Sequence, residues 1–382
     1  MHIAFLTPEY PHAACTVSGG LGTSIKNLAH SLVKKDVEVS LVIYAQKSDR
    51  NFEEDGIRFY LIQQKKYKLG GWYFYRKYLQ NFLNELSKVQ HIDIIEGADW
   101  TGITAFMHLN FPLIIRLHGS DTYFCALEQR KQKLKNRWFE EKALKNADHL
   151  VSVSAFTGNK TVSLFNLKKD FTVIPNGIDI EDFCPFAGNA QPNQLFYFGT
   201  LIRKKGILEL AEIFNIIISK KPDVQLLIAG RDVIDIKENE STLKLFKSRL
   251  QKRARNNFAY LEEIPYQEIK DVLNNSAVVV LPSFAEALPM TWLEAMAMEK
   301  PLVTSNIGWA KEVMLNGVTG FTEDPKDHKA YAEKILYLLD NPCEAAEMGK
   351  AARDRVKKKF SAELVAAQNI KFYNSVLKPD SN

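Results

Sequence analysis

The strongest constraint on the fold of this chain is an alternation. Short β-branched apolar runs are separated by longer segments whose apolar residues recur at helical spacing, and the pattern is run through twice. The first series comprises Ile3 to Thr7, Val37 to Tyr44, Ile92 to Glu96, Leu113 to Leu117, His149 to Val153 and Phe171 to Ile174. The second comprises Leu195 to Phe198, Val224 to Ala229, Phe258 to Leu261, Ala277 to Leu281 and Pro301 to Thr304. Strands alternating with helices imply parallel sheets covered on both faces, so two doubly wound, Rossmann-like α/β domains are expected. Between the series, Phe183 to Asn193 is rich in turn formers and lacks an apolar period, which reads as a linker. This divides the chain into residues 1–185 and 186–360. A last helix from Ser361 to Leu377, within 361–382, is expected to pack back on the first domain. In such folds ligands bind outside the carboxyl ends of the strands, here across a cleft between the domains.

Composition narrows the function classes. With 382 residues, 46% apolar and 25% charged, the chain has enough apolar surface for two cores, and disordered or collagen-like classes are excluded. Its 50 basic and 45 acidic residues give a formal charge of +5, spread too evenly for a dedicated nucleic-acid binder. No run approaches the roughly 18 apolar residues of a membrane span, and the start leads straight into a strand, so a soluble cytoplasmic protein is expected. Cys15, Cys125, Cys184 and Cys343 are far apart, and His12 near Cys15 is too little for zinc. Free thiols and no metal site are the expectation.

Chemistry concentrates at three strand exits. The first strand empties through Glu9 and Tyr10 into Ser18-Gly19-Gly20-Leu21-Gly22-Thr23, where glycines let a ligand approach backbone amides at a helix start. The spacing matches neither Gly-x-Gly-x-x-Gly nor a Walker motif, which argues against a dehydrogenase. In the second domain Gly199 to Gly206 places Arg203, Lys204 and Lys205 after a strand, a group able to offset a diphosphate's charge. Further on, Pro282 to Ala297 brings Glu286 and Glu294 to one strand-helix corner, with Leu288, Pro289, Met290 and Thr291 at the helix start. Carboxylates there suit ribose or sugar hydroxyls. The same residues also read as a cap and a surface position.

The ordered set of motifs resembles the retaining glycosyltransferases of family 4, with the two-domain GT-B fold. It is carried by Gly19-Gly20, His118-Gly119-Ser120-Asp121, Ile174-Pro175-Asn176-Gly177-Ile178-Asp179, Lys205-Gly206, the Glu286-x7-Glu294 pair, Ser305 to Glu312 and Asn316 to Phe321. The resemblance implies transfer of a sugar from a nucleotide diphosphate sugar, a co-substrate rather than a cofactor, to a glycan or lipid-linked acceptor, with retention and without metal. It implies that Glu294 binds the ribose, Glu286 the transferred sugar, and the amides of Leu288 to Thr291 the diphosphate, with Lys205, Arg203 and the Gly19-Gly20 loop assisting. His118 is implied to contact the donor sugar, while Glu9, Tyr10 and Asp121 lie on the acceptor side. One departure stands out: Thr200 occupies the place where many relatives carry Arg. A nucleotide-sugar epimerase of similar architecture and a non-catalytic nucleotide-sugar binding module are the competing readings.

Two stretches combine cations and aromatics: Lys65 to Lys77 with Trp72, Tyr73, Phe74 and Tyr75, and Arg130 to Phe139 with Leu134 and Trp138. Read as one helix, the latter aligns Leu127, Leu134 and Trp138 in a stripe suited to weak peripheral contact with an anionic membrane.

Overall fold

The computed structural model describes residues 1–378 apart from Val17, Asn189 and Ala190, and of Tyr266 and Gln267 the backbone alone. The chain forms two compact units, Met1–Gly177 with Ser361–Asn382 and Ile178–Phe360.

The first unit contains β1 (His2–Thr7), α1 (Gly20–Val33), β2 (Glu38–Gln46), β3 (Arg50–Glu54), β4 (Ile57–Gln63), α2 (Gly71–Gln90), β5 (Ile94–Ala98) and β6 (Leu113–Leu117). It continues with α3 (Asp121–Leu127), α4 (Leu134–Asn146), β7 (His149–Ser152), α5 (Ala155–Phe165) and β8 (Thr172–Val173). Among the described residues its sheet is eight-stranded, in the order β3-β4-β2-β1-β5-β6-β7-β8, and only the β3–β4 pair is antiparallel. Every residue of β1 is buried, as a central parallel strand requires. Strand alternation sends Ile3 and Phe5 into one core, with Leu28 and Leu41, and Ala4 and Leu6 into the other, with Leu79 and Ile115. Helix α1 buries Ile25, Leu28, Ala29 and Leu32, one stripe of a 3.6-residue period.

The second unit contains β9 (Gln191–Phe198), α6 (Ile207–Lys220), β10 (Gln225–Ala229), α7 (Thr242–Arg249), α8 (Lys252–Arg255), β11 (Phe258–Tyr260), α9 (Tyr266–Asn275) and β12 (Ser276–Leu281). After these come α10 (Met290–Ala297), β13 (Leu302–Ser305), α11 (Ala310–Val313), β14 (Phe321–Glu323), α12 (His328–Asp340) and α13 (Pro342–Lys359). Its strands run parallel in the order β11-β10-β9-β12-β13-β14. The final helix, α14 (Ala362–Leu377), belongs to the first unit, where Val365, Ala366 and Tyr373 join the core beside Ile3 and Phe5.

Several details differ from the sequence reading. The chain changes units at Gly177–Ile178 rather than after Pro185. Arg353 of α13 donates to the Ile180 carbonyl (3.0 Å) and the Phe183 carbonyl (2.7 Å), which holds 178–185 in the second unit. Of the expected linker, Asn189 and Ala190 lie outside the described residues, and Gln191 to Asn193 already open β9. The β3–β4 hairpin is additional; its Asp55-Gly56 turn, φ +51° and +74°, is the two-residue type that joins twisted antiparallel strands. Residues 128–133 break the expected basic helix, so Leu127 lies on α3 and Leu134 and Trp138 on α4, and the three form no single stripe. All four cysteines are free, and among the described residues no helix is long and apolar enough to cross a membrane.

Candidate active site

In the second unit, β9 is followed by Gly199, which has a φ of +125°. A 3₁₀ turn over Arg203–Lys205 then leads to Gly206 and into α6. Gly206 has a φ of +70°, and a Cβ there would stand 1.9 Å from the Pro282 carbonyl oxygen. Only glycine lets this turn touch the strand exit of β12. The close approach sets Lys205 Nζ 3.3 Å from Glu286 Oε1, while the Ser283 hydroxyl donates to the same oxygen at 3.1 Å. Glu286 is 9% exposed and Glu294, on α10, 4%. Helix α10 starts at Met290 with Pro289 in the N-cap position and no side-chain cap. Pro289 itself has no N–H to give, so of the four residues expected to supply amides it contributes backbone shape alone.

Arg203 has a different partner from the expected one. Its fork donates to both oxygens of Asp235, at 2.8 and 2.9 Å, and Asp235 is 1% exposed. The bond from Arg203, with the Glu238 and Lys237 amides, holds the Asp235 carboxyl down at about 2. This bidentate pair commits the guanidinium to shaping the loop after β10.

In the first unit, His118 leaves β6 half-buried, with Gly119 behind it at φ +92° and packed against Phe124 and Tyr123. Its backbone N–H donates to Asp99 Oδ1 at 3.0 Å and that of Gly119 to Asp99 Oδ2 at 3.2 Å. Burial, with the Arg116 charge added, pulls the imidazole pKa down to about 3, so the ring is neutral at physiological pH. Asp99 itself is 1% exposed, and burial pushes it up to about 8, with the nearby Glu140 charge adding to the rise. Glu140 in turn receives the Asp121 and Thr122 amides at the start of α3, at 2.9 and 3.1 Å. Sequence reasoning missed both carboxylates.

The three residues expected on the acceptor side each make structural contacts. Glu9 Oε1 accepts from the Gly19 and Gly22 amides at 2.9 and 2.8 Å, so it caps α1 and fixes the glycine loop. Tyr10 is 2% exposed, its ring 5.3 Å from that of Phe59 and its hydroxyl 3.3 Å from His30 Nε2; it is a core residue. Asp121 accepts from Arg130 at 2.9 Å and Asn136 at 3.1 Å, whereas Asp99 holds the His118 segment. The two basic, aromatic stretches do converge. The Trp72 ring lies 5.9 Å from Trp138 and 5.1 Å from Phe139, and Lys135 stands over it at 5.9 Å.

Comparison with known proteins agrees with this layout. Residues 18–182 match the family model described as Glycosyltransferase Family 4, and residues 181–355 match that of Glycosyl transferases group 1. Glycogen synthase from Mycobacterium tuberculosis is 26% identical over 294 residues, 74% of this chain and 68% of that one. Alpha-maltose-1-phosphate synthase from Mycolicibacterium smegmatis is 26% identical over 98% of this chain and all, 100%, of its own length. Among solved structures, sucrose-phosphate synthase from Thermosynechococcus elongatus superposes with a TM-score of 0.80 at 19% identity, covering 98% of both chains. Anabaena HepE in complex with UDP-glucose gives 0.74 at 18% identity over 98% of this chain and 100% of that one.

Proposed function

Since this chain belongs to glycosyltransferase family 4 and is a glycosyltransferase, we propose that it moves a hexosyl group from a nucleotide diphosphate sugar to a glycan or lipid-linked acceptor, with retention and without a metal. The observation that carries the reading is the Lys205–Glu286 pair at adjoining strand exits, with buried Glu294 on the helix that follows. In this scheme Glu294 accepts from the ribose hydroxyls and Glu286 from hydroxyls of the transferred sugar. Lys205, now paired with Glu286, turns to the diphosphate together with the Met290 and Thr291 amides, which stabilises the charge that develops on the leaving group. The neutral His118 serves as a hydrogen-bonding contact to the sugar, and the Gly19-Gly20 loop meets the diphosphate by its backbone. Arg203 meets the diphosphate in this scheme only by exchanging its bidentate pair with Asp235 for it. Support for a nucleotide donor comes from HepE, solved with UDP-glucose.

In this proposal the reaction serves surface polysaccharide or glycolipid synthesis on the cytoplasmic side. There the Trp72–Trp138 surface, with Lys131 and Lys133 just before α4 and Lys135 in its first turn, rests on anionic lipid. A thermal-shift panel of UDP-, GDP- and ADP-sugars tests the scheme. Glu294→Gln weakens binding of the free nucleotide diphosphate as well as the donor. Glu286→Gln keeps nucleotide affinity and loses turnover. Equal nucleotide affinity in both variants and the parent refutes the two assignments, and loss of activity to EDTA with rescue by magnesium refutes the metal-free scheme.

A further inference from the structure

The first unit holds a cavity of about 530 Å³ that no donor role accounts for. Its walls come from Tyr44 near the end of β2, Lys65 and Lys66 beyond β4, Trp72, Tyr75 and Arg76 on α2, and the loop after β5. These are carboxyl ends of parallel strands, the same sheet edge from which Glu9 and His118 emerge. Among the described residues three cations and no carboxylate line it.

Arg76 is the unusual member. It is 7% exposed, and its guanidinium lies 4.1 Å from the centre of the Phe139 ring. Its N–H groups donate to the backbone carbonyls of Trp72 (2.7 Å), Thr101 (3.3 Å) and Gly102 (3.1 Å). Among the described residues no carboxylate pairs with it, so carbonyl dipoles and one ring support a full charge taken out of water. Burial accordingly pulls its pKa down to about 10. Such a charge is costly without a counter-ion, and proteins of this size almost always supply one. Lys65 is neutralised in part by Asp49 at 2.7 Å, while Lys66 at the rim is exposed. Tyr44, Tyr67, Trp72 and Tyr75 in the lining combine flat apolar rings with hydroxyl and indole groups, a chemistry that suits a ring that is apolar on one face and hydroxylated at its rim.

We infer that this cavity binds a saccharide bearing a phosphate, and that the phosphate supplies the anion Arg76 and Lys66 lack. The inference rests on the transferase reading above, in which the first unit receives the acceptor, and it names the acceptor's class. A phosphate of this kind is presented by a soluble sugar phosphate or by the headgroup of a phosphoinositide-type lipid; the recognition chemistry is shared.

Calorimetric titration of the whole chain, without donor, reads the site directly. The probes are glucose 6-phosphate, methyl α-glucoside, and vesicles of phosphatidylinositol against phosphatidylcholine. A phosphate probe is expected to bind at least tenfold more tightly than its neutral counterpart, a difference of about 1.4 kcal/mol. Lys66→Ala is expected to lower that affinity three- to tenfold, and Trp72→Ala to lower it for the charged and neutral probes alike. Arg76→Gln, with folding checked by circular dichroism, abolishes the phosphate preference; if it does not fold, the Lys66 and Trp72 variants decide. Binding of glucose 6-phosphate alone assigns a soluble acceptor, and binding of phosphatidylinositol vesicles alone a lipid-linked one. No phosphate preference, or an affinity unmoved by Lys66→Ala and Trp72→Ala, overturns the inference. UDP and GDP thermal shifts recorded in parallel report the donor site, so failure here with an intact nucleotide shift leaves the transferase reading standing, and the reverse result isolates that reading as the one at fault.

Discussion

Replacing Asp99 by Asn tests how the strand exit that carries His118 is held. In the parent, the two carboxyl oxygens of Asp99 receive the His118 and Gly119 amides at 3.0 and 3.2 Å. Asn offers one acceptor oxygen and turns an NH₂ group toward the second amide, leaving that N–H unsatisfied at a cost of about 1–3 kcal/mol. The pH dependence separates this loss from a general defect. Burial holds the Asp99 carboxyl at about 8 in the folded chain, against an ordinary value of 3.8. A group whose folded pKa is raised contributes stability that is fully present below its unfolded pKa and is lost as pH rises through the folded one. The parent's advantage over Asp99→Asn therefore shrinks by about 1.4 kcal/mol per pH unit from pH 5 to 7 and levels off above pH 8. Urea unfolding read by pulsed hydrogen exchange on peptides of the first unit measures this, since two units need not unfold together. Because a misplacement of about 1 Å costs up to roughly a hundredfold in turnover, kcat/KM falls at least tenfold while nucleotide binding to the second unit is unchanged. A stability difference that stays constant from pH 5 to 9 refutes the titration, and full activity in Asp99→Asn refutes the positioning.

Other perturbations give distinct readouts. Gly206→Ala meets the Pro282 carbonyl at 1.9 Å with φ +70°, and the sum of overlap and left-handed backbone costs the second unit about 2–6 kcal/mol, seen as a lower thermal midpoint and a lost nucleotide shift. Arg116→Met strands Glu96, 4% exposed, without its bidentate partner and costs the first unit about 3–5 kcal/mol, whereas Tyr373→Phe removes one bond to that carboxylate and costs about 1.5–3. His118 titrates at about 3 rather than near 6.5, so its stability contribution is complete above pH 6.5 and lost as pH falls toward 3; a rate limb near pH 6.5 that vanishes in His118→Asn contradicts this. Lys205→Ala lowers turnover at least tenfold, about 1.4 kcal/mol, and unchanged turnover removes it from the mechanism.

What was legible in the sequence follows from the range of the interactions involved. Buried parallel strands such as β1 announce themselves by composition, and the motif residues Lys205, Glu286 and Glu294 fall at one strand-helix corner because short loops keep sequence neighbours together. The β3–β4 hairpin carried its own signal in Asp55-Gly56 between alternating residues, and went unread because the α/β alternation took precedence. Partners remote along the chain leave no such trace. Asp99 lies 19 residues before the amide of His118, Asp235 32 residues beyond Arg203, and Tyr373 277 beyond Glu96. Glu9, Tyr10 and Asp121 sit where ligand contacts are expected, yet helix capping, core packing and an ion pair claimed them, distinctions that only burial and geometry reveal.

The cluster beneath α14 also bears on how the chain matures during synthesis. Glu96 and Arg116 form their pair early, but the Tyr373 hydroxyl and the Asn369 amide that complete it, together with Val365 and Ala366 over Ile3 and Phe5, emerge from the ribosome only after the whole second unit. A nascent chain that has released residues up to Phe360 from the ribosome therefore carries a finished second unit and a first one whose apolar flank is bare, the kind of surface that chaperones bind and that aggregates in their absence. A C-terminal truncation series should show solubility rising abruptly once Tyr373 is included.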